Sequence, residues 1–288
     1  MKRKRFRFLR GAKKTADQLR LLWDALKKFG QDHGFLLSSG IAFELLICLI
    51  PLILLFLALI GTCLYSDREI LSHIRRYLES SFPSLDPKMM RSLLSVIRNR
   101  KIAGVLGFGG LLWTSTWVFS SLRTALNIIF GVKKERGFFH GKTIDLLMIF
   151  SAGVFLLMSM ALTSMITFVQ QVPIRLPLEM GPILQFLLKY LVPFFFAFGM
   201  FFLIYKIVPN RRIRFKTAFH TALFTTLLWE GAKQVLSWYV LRAGRFSMVY
   251  GSLGALAIFF LWVYYSAAIV LLGGEVASLI ERRKDSYK

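Results

Sequence analysis

Glu230 and Lys233 stand three residues apart in TTLLWEGAKQVLSWYV, a segment otherwise apolar and helical in pattern. Residues three apart meet on one helical face, so the two can form an ion pair. In apolar surroundings such a pair can hold the charged part of a substrate, pass a proton, or simply neutralise itself. Glu44, in SSGIAFELLICLIPLILL, is a second carboxylate in apolar company. Metal chemistry has no comparable foothold. The four histidines, His33, His73, His140 and His220, are isolated and lack metal-ligand spacing. A metallonuclease needs clustered His and acidic ligands, and no segment supplies them. The sequence therefore predicts no catalytic residue, no metal and no cofactor. Cys48 and Cys63 share one apolar run, about 22 Å apart along a helix, too far to bridge.

The elements that must carry these residues are membrane spans. The chain of 288 residues is 56% hydrophobic, with 28 Phe and a mean hydropathy of +0.57. Apolar runs longer than about 18 residues mark spanning helices. Six are predicted, at 38–65, 102–122, 144–169, 184–208, 217–240 and 250–274, the second continuing as helix towards Phe130. The expected fold is all-α: a polytopic membrane protein with six transmembrane helices plus amphipathic surface helices. It divides into a basic N-terminal segment, 1–35, a six-span membrane domain, 36–280, and a cytoplasmic tail, 281–288. The first apolar run is too long and too late for a cleaved signal peptide.

The net charge of +23 would suggest nucleic acid in a soluble protein. Here the cations cluster at span ends, so anionic phospholipid is the expected partner and nucleic acid is not. Residues 1–37, 131–143, 206–216 and 275–288 hold eleven, four, five and four Lys/Arg, and the opposite side holds eleven in all. This bias puts both termini in the cytoplasm. Leu19, Leu22, Trp23 and Leu26 fall at helical spacing with Arg20, Lys27 and Lys28 beside them. Such a helix can lie on a cytoplasmic membrane surface or pack against its own bundle.

The long outer loop, 66–101, holds two amphipathic patterns. Ile70, Leu71, Ile74, Tyr77 and Leu78 form one stripe. After Pro83, Asp86 and Pro87 open a second, with Met90, Leu93, Leu94 and Ile97 on one face. These helices can dock on the bundle, rest on lipid, or receive an envelope protein partner.

Depth along the spans then places the charges. With the fifth span starting near Thr217, Glu230 lies about 20 Å and Lys233 about 24 Å along it. Lys189, about 8 Å into the fourth span from the outside, reaches a similar depth. Glu230 is expected between Lys233 and Lys189, although both lysines can instead snorkel outward. Pro51 removes a backbone hydrogen bond after Glu44, so a kink is expected near 47–51. Glu44 then serves a substrate path or is a structural group, with Arg123 at a suitable depth to pair with it. Asp145, His220 and Glu275 are expected at interfaces. The runs GVLGFGG and GSLGALA suit close helix packing. Arg242 and Arg245 on the outer side, and Arg211 and Arg212 in VPNRRIRFK on the inner, are candidate headgroup contacts. That turn serves equally as an orientation signal.

Four stretches add up to a family pattern: AFELLICLIPLILL, LLWTSTWVFSSLRTALNIIFGV, YKIVPNRRIRFKTAFHTALFTTLLWEGAKQVLSWYV and YGSLGALAIFFLWVYYSAAIVLLGGEV. Over roughly residues 30–280 the chain resembles the YihY / virulence factor BrkB family of bacterial inner-membrane proteins. The matching positions include Pro51, Trp113, Phe119, Leu122, Asn127, Gly131, Tyr205, Pro209, Asn210, Trp229, Glu230, Tyr250, Gly251, Trp262, Gly273 and Glu275. Glu44 and Cys48 stand where the family carries an uncharged residue and a serine, so any role of Glu44 is particular to this chain. The resemblance implies a six-span protein of the bacterial inner membrane, both termini cytoplasmic, with an envelope-related role, and supplies no agreed catalytic site; the family's old ribonuclease BN label is regarded as mistaken. The candidate intramembrane polar site is thus Glu230, Lys233, Lys189, Glu44, Arg123 and Asn127. The expected function is transport or handling of a lipid or other amphiphile. A non-catalytic scaffold binding a partner through 67–100, and an ion- or proton-coupled transporter, remain the alternatives.

Overall fold

A computed structural model describes residues 17, 19–64, 95–97, 99–132, 137–171, 191–242 and 244–285. Most of the described residues are helical, and none of them forms a strand. Helix α1 covers 19–31. It is followed by α2 (Gly34–Leu64), α3 (Arg100–Phe130), α4 (Phe138–Gln171), α5 (Val192–Ile207), α6 (Phe215–Arg242) and α7 (Gly244–Asp285). A helix occupies the described part of each interval expected to span. Four are long and apolar enough to cross a membrane: Gly34–Thr62, Arg100–Phe130, Phe139–Ser159 and Leu256–Asp285. The shorter Val192–Ile207 is also apolar. The protein is an all-α, multi-pass membrane protein.

The chain divides into two compact units, residues 43–118 and residues 1–42 with 119–288. Within the first, α2 stays helical through Pro51. The glycines of GVLGFGG let α3 approach it closely, as expected. A Cβ on Gly107 would lie 2.7 Å from the Leu55 backbone nitrogen, and one on Gly110 would lie 3.1 Å from Pro51. Of the outer-loop helices only 95–97 is described, with Ile97 buried; the remaining expectations for 66–94 lie outside the described residues.

In the second unit α6 packs on both α5 and α7, and α5 on α4. The core is built from Leu126, Ile129, Met148, Tyr205, Ile213 and Leu271, among others. Tyr205 ties three helices at once. Its hydroxyl donates to the Val270 carbonyl at 2.7 Å and lies 2.9 Å from Thr225 Oγ1. It sits over Gly273, where any Cβ would collide with Tyr205 and Thr225. The buried hydroxyl is satisfied, which its burial requires.

One difference from expectation concerns helix length. Helix α7 does not end near 274 but runs to Asp285, so most of the expected tail is helix, and Glu281 within it is buried. Glu275, Ser278 and Glu281 are polar, but they share a face and all find partners inside the unit. An apolarity criterion stops at them although the helix does not. Of the two facings open to helix α1, the structure turns Leu19, Trp23 and Leu26 outward, with Leu22 half-buried beside the inward Ala25 and Phe29.

Candidate functional site

The middle of α6 carries the charge pair that the sequence singled out. Buried Thr217, Thr221 and Thr225 succeed one another at every fourth position and set the inward face. Trp229 continues that row. Its ring meets Phe201 at 6.0 Å and Trp262 at 5.6 Å between centroids, and its Nε1–H donates to Ser266 Oγ at 3.3 Å. Lys233, one turn on, lies over the Trp229 ring with Nζ 4.4 Å from the centroid. Glu230 Oε1 is 2.6 Å from Lys233 Nζ. The contact is ionic and not a directed hydrogen bond, so Oε1 is left without a hydrogen-bond partner.

The pair is neither sealed nor bare: the side chains of Glu230 and Lys233 are 27% and 32% exposed. An indole face attracts a cation, and the attraction grows where water is scarce. Trp262 carries the aromatic surface on to Tyr265 at 5.1 Å. The arrangement offers a carboxylate beside an ammonium that rests on an aromatic ring, which can accept a charged or zwitterionic group.

The other candidates fall elsewhere. Lys189 lies outside the described residues, as does the Arg245 side chain. Arg123 is held by Asp145 at 3.0 Å and Ser120 at 3.3 Å. Glu44 is half-buried in the 43–118 unit. Asn127 is buried and committed to a loop: its Oδ1 accepts from the Asn210 N–H at 2.9 Å. Its carbonyl accepts from the Val132 N–H at 2.9 Å while Gly131, with φ +64°, bonds to Ile128. That is the pattern in which a left-handed glycine closes a helix C-terminus. Arg211 is tied to Asp285 at 2.5 Å, Arg212 is exposed, and Arg242 stacks on Trp238 at 4.6 Å.

A second polar cluster was not anticipated. Asp145 and Glu275, expected at interfaces, are both buried. Lys28 of α1 reaches Glu275 and Asp32, each at 2.6 Å, and the Ile129 carbonyl at 2.9 Å. Ser278 donates to the same carbonyl. Glu281 accepts from the Arg214 backbone N–H at 2.8 Å, and Arg214 also reaches Asp285 at 3.1 Å. These contacts tie α1, the α3 end, the 208–214 turn and α7 together. The sequence signal was Glu275, Ser278 and Glu281 at three-residue spacing, a polar stripe continuing α7. Among the described residues no group of three His, Cys, Asp or Glu side chains is placed to hold a metal.

The profile of the family Virulence factor BrkB matches residues 25–288. A UPF0761 membrane protein of Prosthecochloris aestuarii is 27% identical over 86% of this chain, and the match covers 58% of that protein. Another, from Glaesserella parasuis, is 29% identical over 69% of each chain. A ribonuclease-like protein of Bacillus subtilis, YfkH, is 24% identical over 91% of this chain and 96% of its own length. The chain thus spans less than two thirds of several curated relatives it matches. No solved structure matches it.

Proposed function

This chain belongs to the Virulence factor BrkB family, and we propose that it is a non-enzymatic transporter or handler of a lipid or other amphiphile in the cell envelope. It sits in the bacterial inner membrane with both termini in the cytoplasm, the side favoured by the cation bias of its flanks. One observation carries the reading: the Glu230–Lys233 pair near the middle of α6, each side chain about a quarter to a third exposed. A charge at the centre of a spanning helix costs about 2.5–3.5 kcal/mol on insertion scales. Mutual pairing offsets part of that cost, and the aromatic bed under Lys233 a further part. Residual exposure leaves both groups able to meet a polar head whose tails remain in hydrocarbon. A purely structural ion pair gains nothing from this opening.

Relatives described as UPF0761 membrane proteins accord with a membrane function, and the ribonuclease-like description of YfkH is a statement about that protein. The test is reconstitution into liposomes bearing a headgroup-labelled phospholipid in one leaflet, read by the rate at which an impermeant quencher reaches the label. Wild-type protein raises that rate and Glu230→Gln removes most of the increase. An unchanged rate in the Glu230→Gln and Lys233→Met variants, or no increase from the wild type with any phospholipid, overturns the reading.

A further inference from the structure

Helix α1 has two faces, and only one is used by the fold. Ala25 and Phe29 are buried, Lys28 is clamped to Glu275 and to the Ile129 carbonyl, and Asp24 pairs with Arg283 at 3.2 Å. These contacts fix how the helix is turned. Its outward residues therefore cannot roll inward. Those residues are Leu19, Trp23 and Leu26, exposed by 67%, 71% and 51%. Spaced by four and three, they form one stripe. A soluble surface rarely concentrates large apolar groups this way without a partner.

Three features identify what covers the stripe. The first is position. Only Asp32 and His33 separate α1 from α2, whose apolar helix begins at Gly34. Phe35 and Leu36 at its start are also exposed, so apolar surface continues from α1 into a spanning helix. The second is charge. Arg20 and Lys27 flank the stripe and are exposed, and Arg283 and Lys284 stand at the α7 end that Asp24 engages. The third is chemistry: an indole beside aliphatic residues and cations suits the boundary between headgroups and acyl chains.

We propose that α1 lies in the headgroup layer of an anionic leaflet, its Leu19–Trp23–Leu26 face inserted among acyl chains and Arg20 and Lys27 on lipid phosphates. The inner face meanwhile clamps α7 through Lys28, so α1 couples the lipid surface to the bundle. This inference stands independently of the Glu230 reading.

The test uses the full chain with Cys48 and Cys63 replaced by alanine. Single nitroxide labels are placed at Leu19, Trp23, Leu26 and Lys27. The protein is reconstituted in nanodiscs of phosphatidylglycerol with phosphatidylethanolamine, or of phosphatidylcholine alone. In the anionic discs, collisions with oxygen should dominate at 19, 23 and 26, and collisions with an aqueous nickel chelate at 27. Arg20→Gln and Lys27→Gln should each lower the docked-to-undocked ratio about fivefold, the factor matching one basic residue near an anionic surface. Equal aqueous access at all four positions overturns the proposal. So does shielding from both reagents, which marks a protein partner or a second copy over the stripe. Docking that ignores lipid charge and both glutamine variants overturns the anionic assignment.

Discussion

Lys28 and Glu275, 247 residues apart in sequence, meet at 2.6 Å with the carboxylate fully buried. The pair joins α1 to α7. Removing Lys28 leaves the buried Glu275 carboxylate without its cation, charged or forced to neutralise. Breaking such a buried pair costs about 3–5 kcal/mol. Lys28→Met is therefore expected to lower the thermal midpoint of the detergent-solubilised protein strongly, and Lys28→Met with Glu275→Met to recover much of the loss. Additive losses in the double variant would show that the pairing is not what holds these helices.

Tyr205 and Gly273 make a complementary fit of hydroxyl against bare backbone. Gly273→Ala must push Tyr205 or Thr225 aside, an overpacking cost of about 1–3 kcal/mol. Tyr205→Phe removes the hydroxyl that the new methyl would strike, but it leaves the Val270 carbonyl without this donor, at about 1 kcal/mol. The two changes share one contact, so their combination should cost less than the sum of the single changes. Chemical unfolding of the two single variants and the double variant checks this.

Much of this architecture was legible because hydropathy reports burial in lipid directly. Apolar runs located the helices, and the one-turn spacing of Glu230 and Lys233 located their ion pair. The partners of Asp145 and Glu275 were not legible. An acid at the end of an apolar run reads as interfacial, and only tertiary packing supplies the Arg123 and Lys28 that bury it. The facing of α1 was legible only as a choice: the stripe of Leu19, Leu22, Trp23 and Leu26 suits either lipid or the bundle, and spacing does not decide between them. The small residue Ala25, together with Phe29, instead sets the protein-facing side, because close approach there lets Lys28 reach Glu275. Asn127 was a candidate for the polar site and is instead held by the Asn210 turn, a contact that spacing cannot foresee.

Gly107 tests the 43–118 unit by itself. A Cβ there meets the Leu55 backbone and not the tip of a flexible side chain. Backbone cannot swing away, so Gly107→Ala should separate α2 from α3 or strain both, at about 1–3 kcal/mol. Gly109→Ala, with open space around its Cβ, should be tolerated or slightly stabilising through helix propensity. Equal midpoints for the two alanine variants in a thermal melt would refute the close approach.

Exchanging the charges of Glu230 and Lys233 separates structure from use. Glu230→Ala or Lys233→Ala leaves a lone ion in α6, and the loss should fall near 2.5–3.5 kcal/mol at most, because the surviving side chain is partly open and can neutralise or snorkel. The double exchange Glu230→Lys with Lys233→Glu preserves net charge and spacing. It also moves the cation off the Trp229 face, where Lys233 now sits at 4.4 Å. Stability should return to within about 1 kcal/mol of wild type, the difference being the lost contact with the ring. Transport of labelled phospholipid should not return, because a head bound by its phosphate at Lys233 would meet a carboxylate there instead. Recovery of both stability and transport in the exchanged protein would mean that the pair serves only to neutralise itself. Recovery of stability alone ties the orientation of the two charges to the substrate.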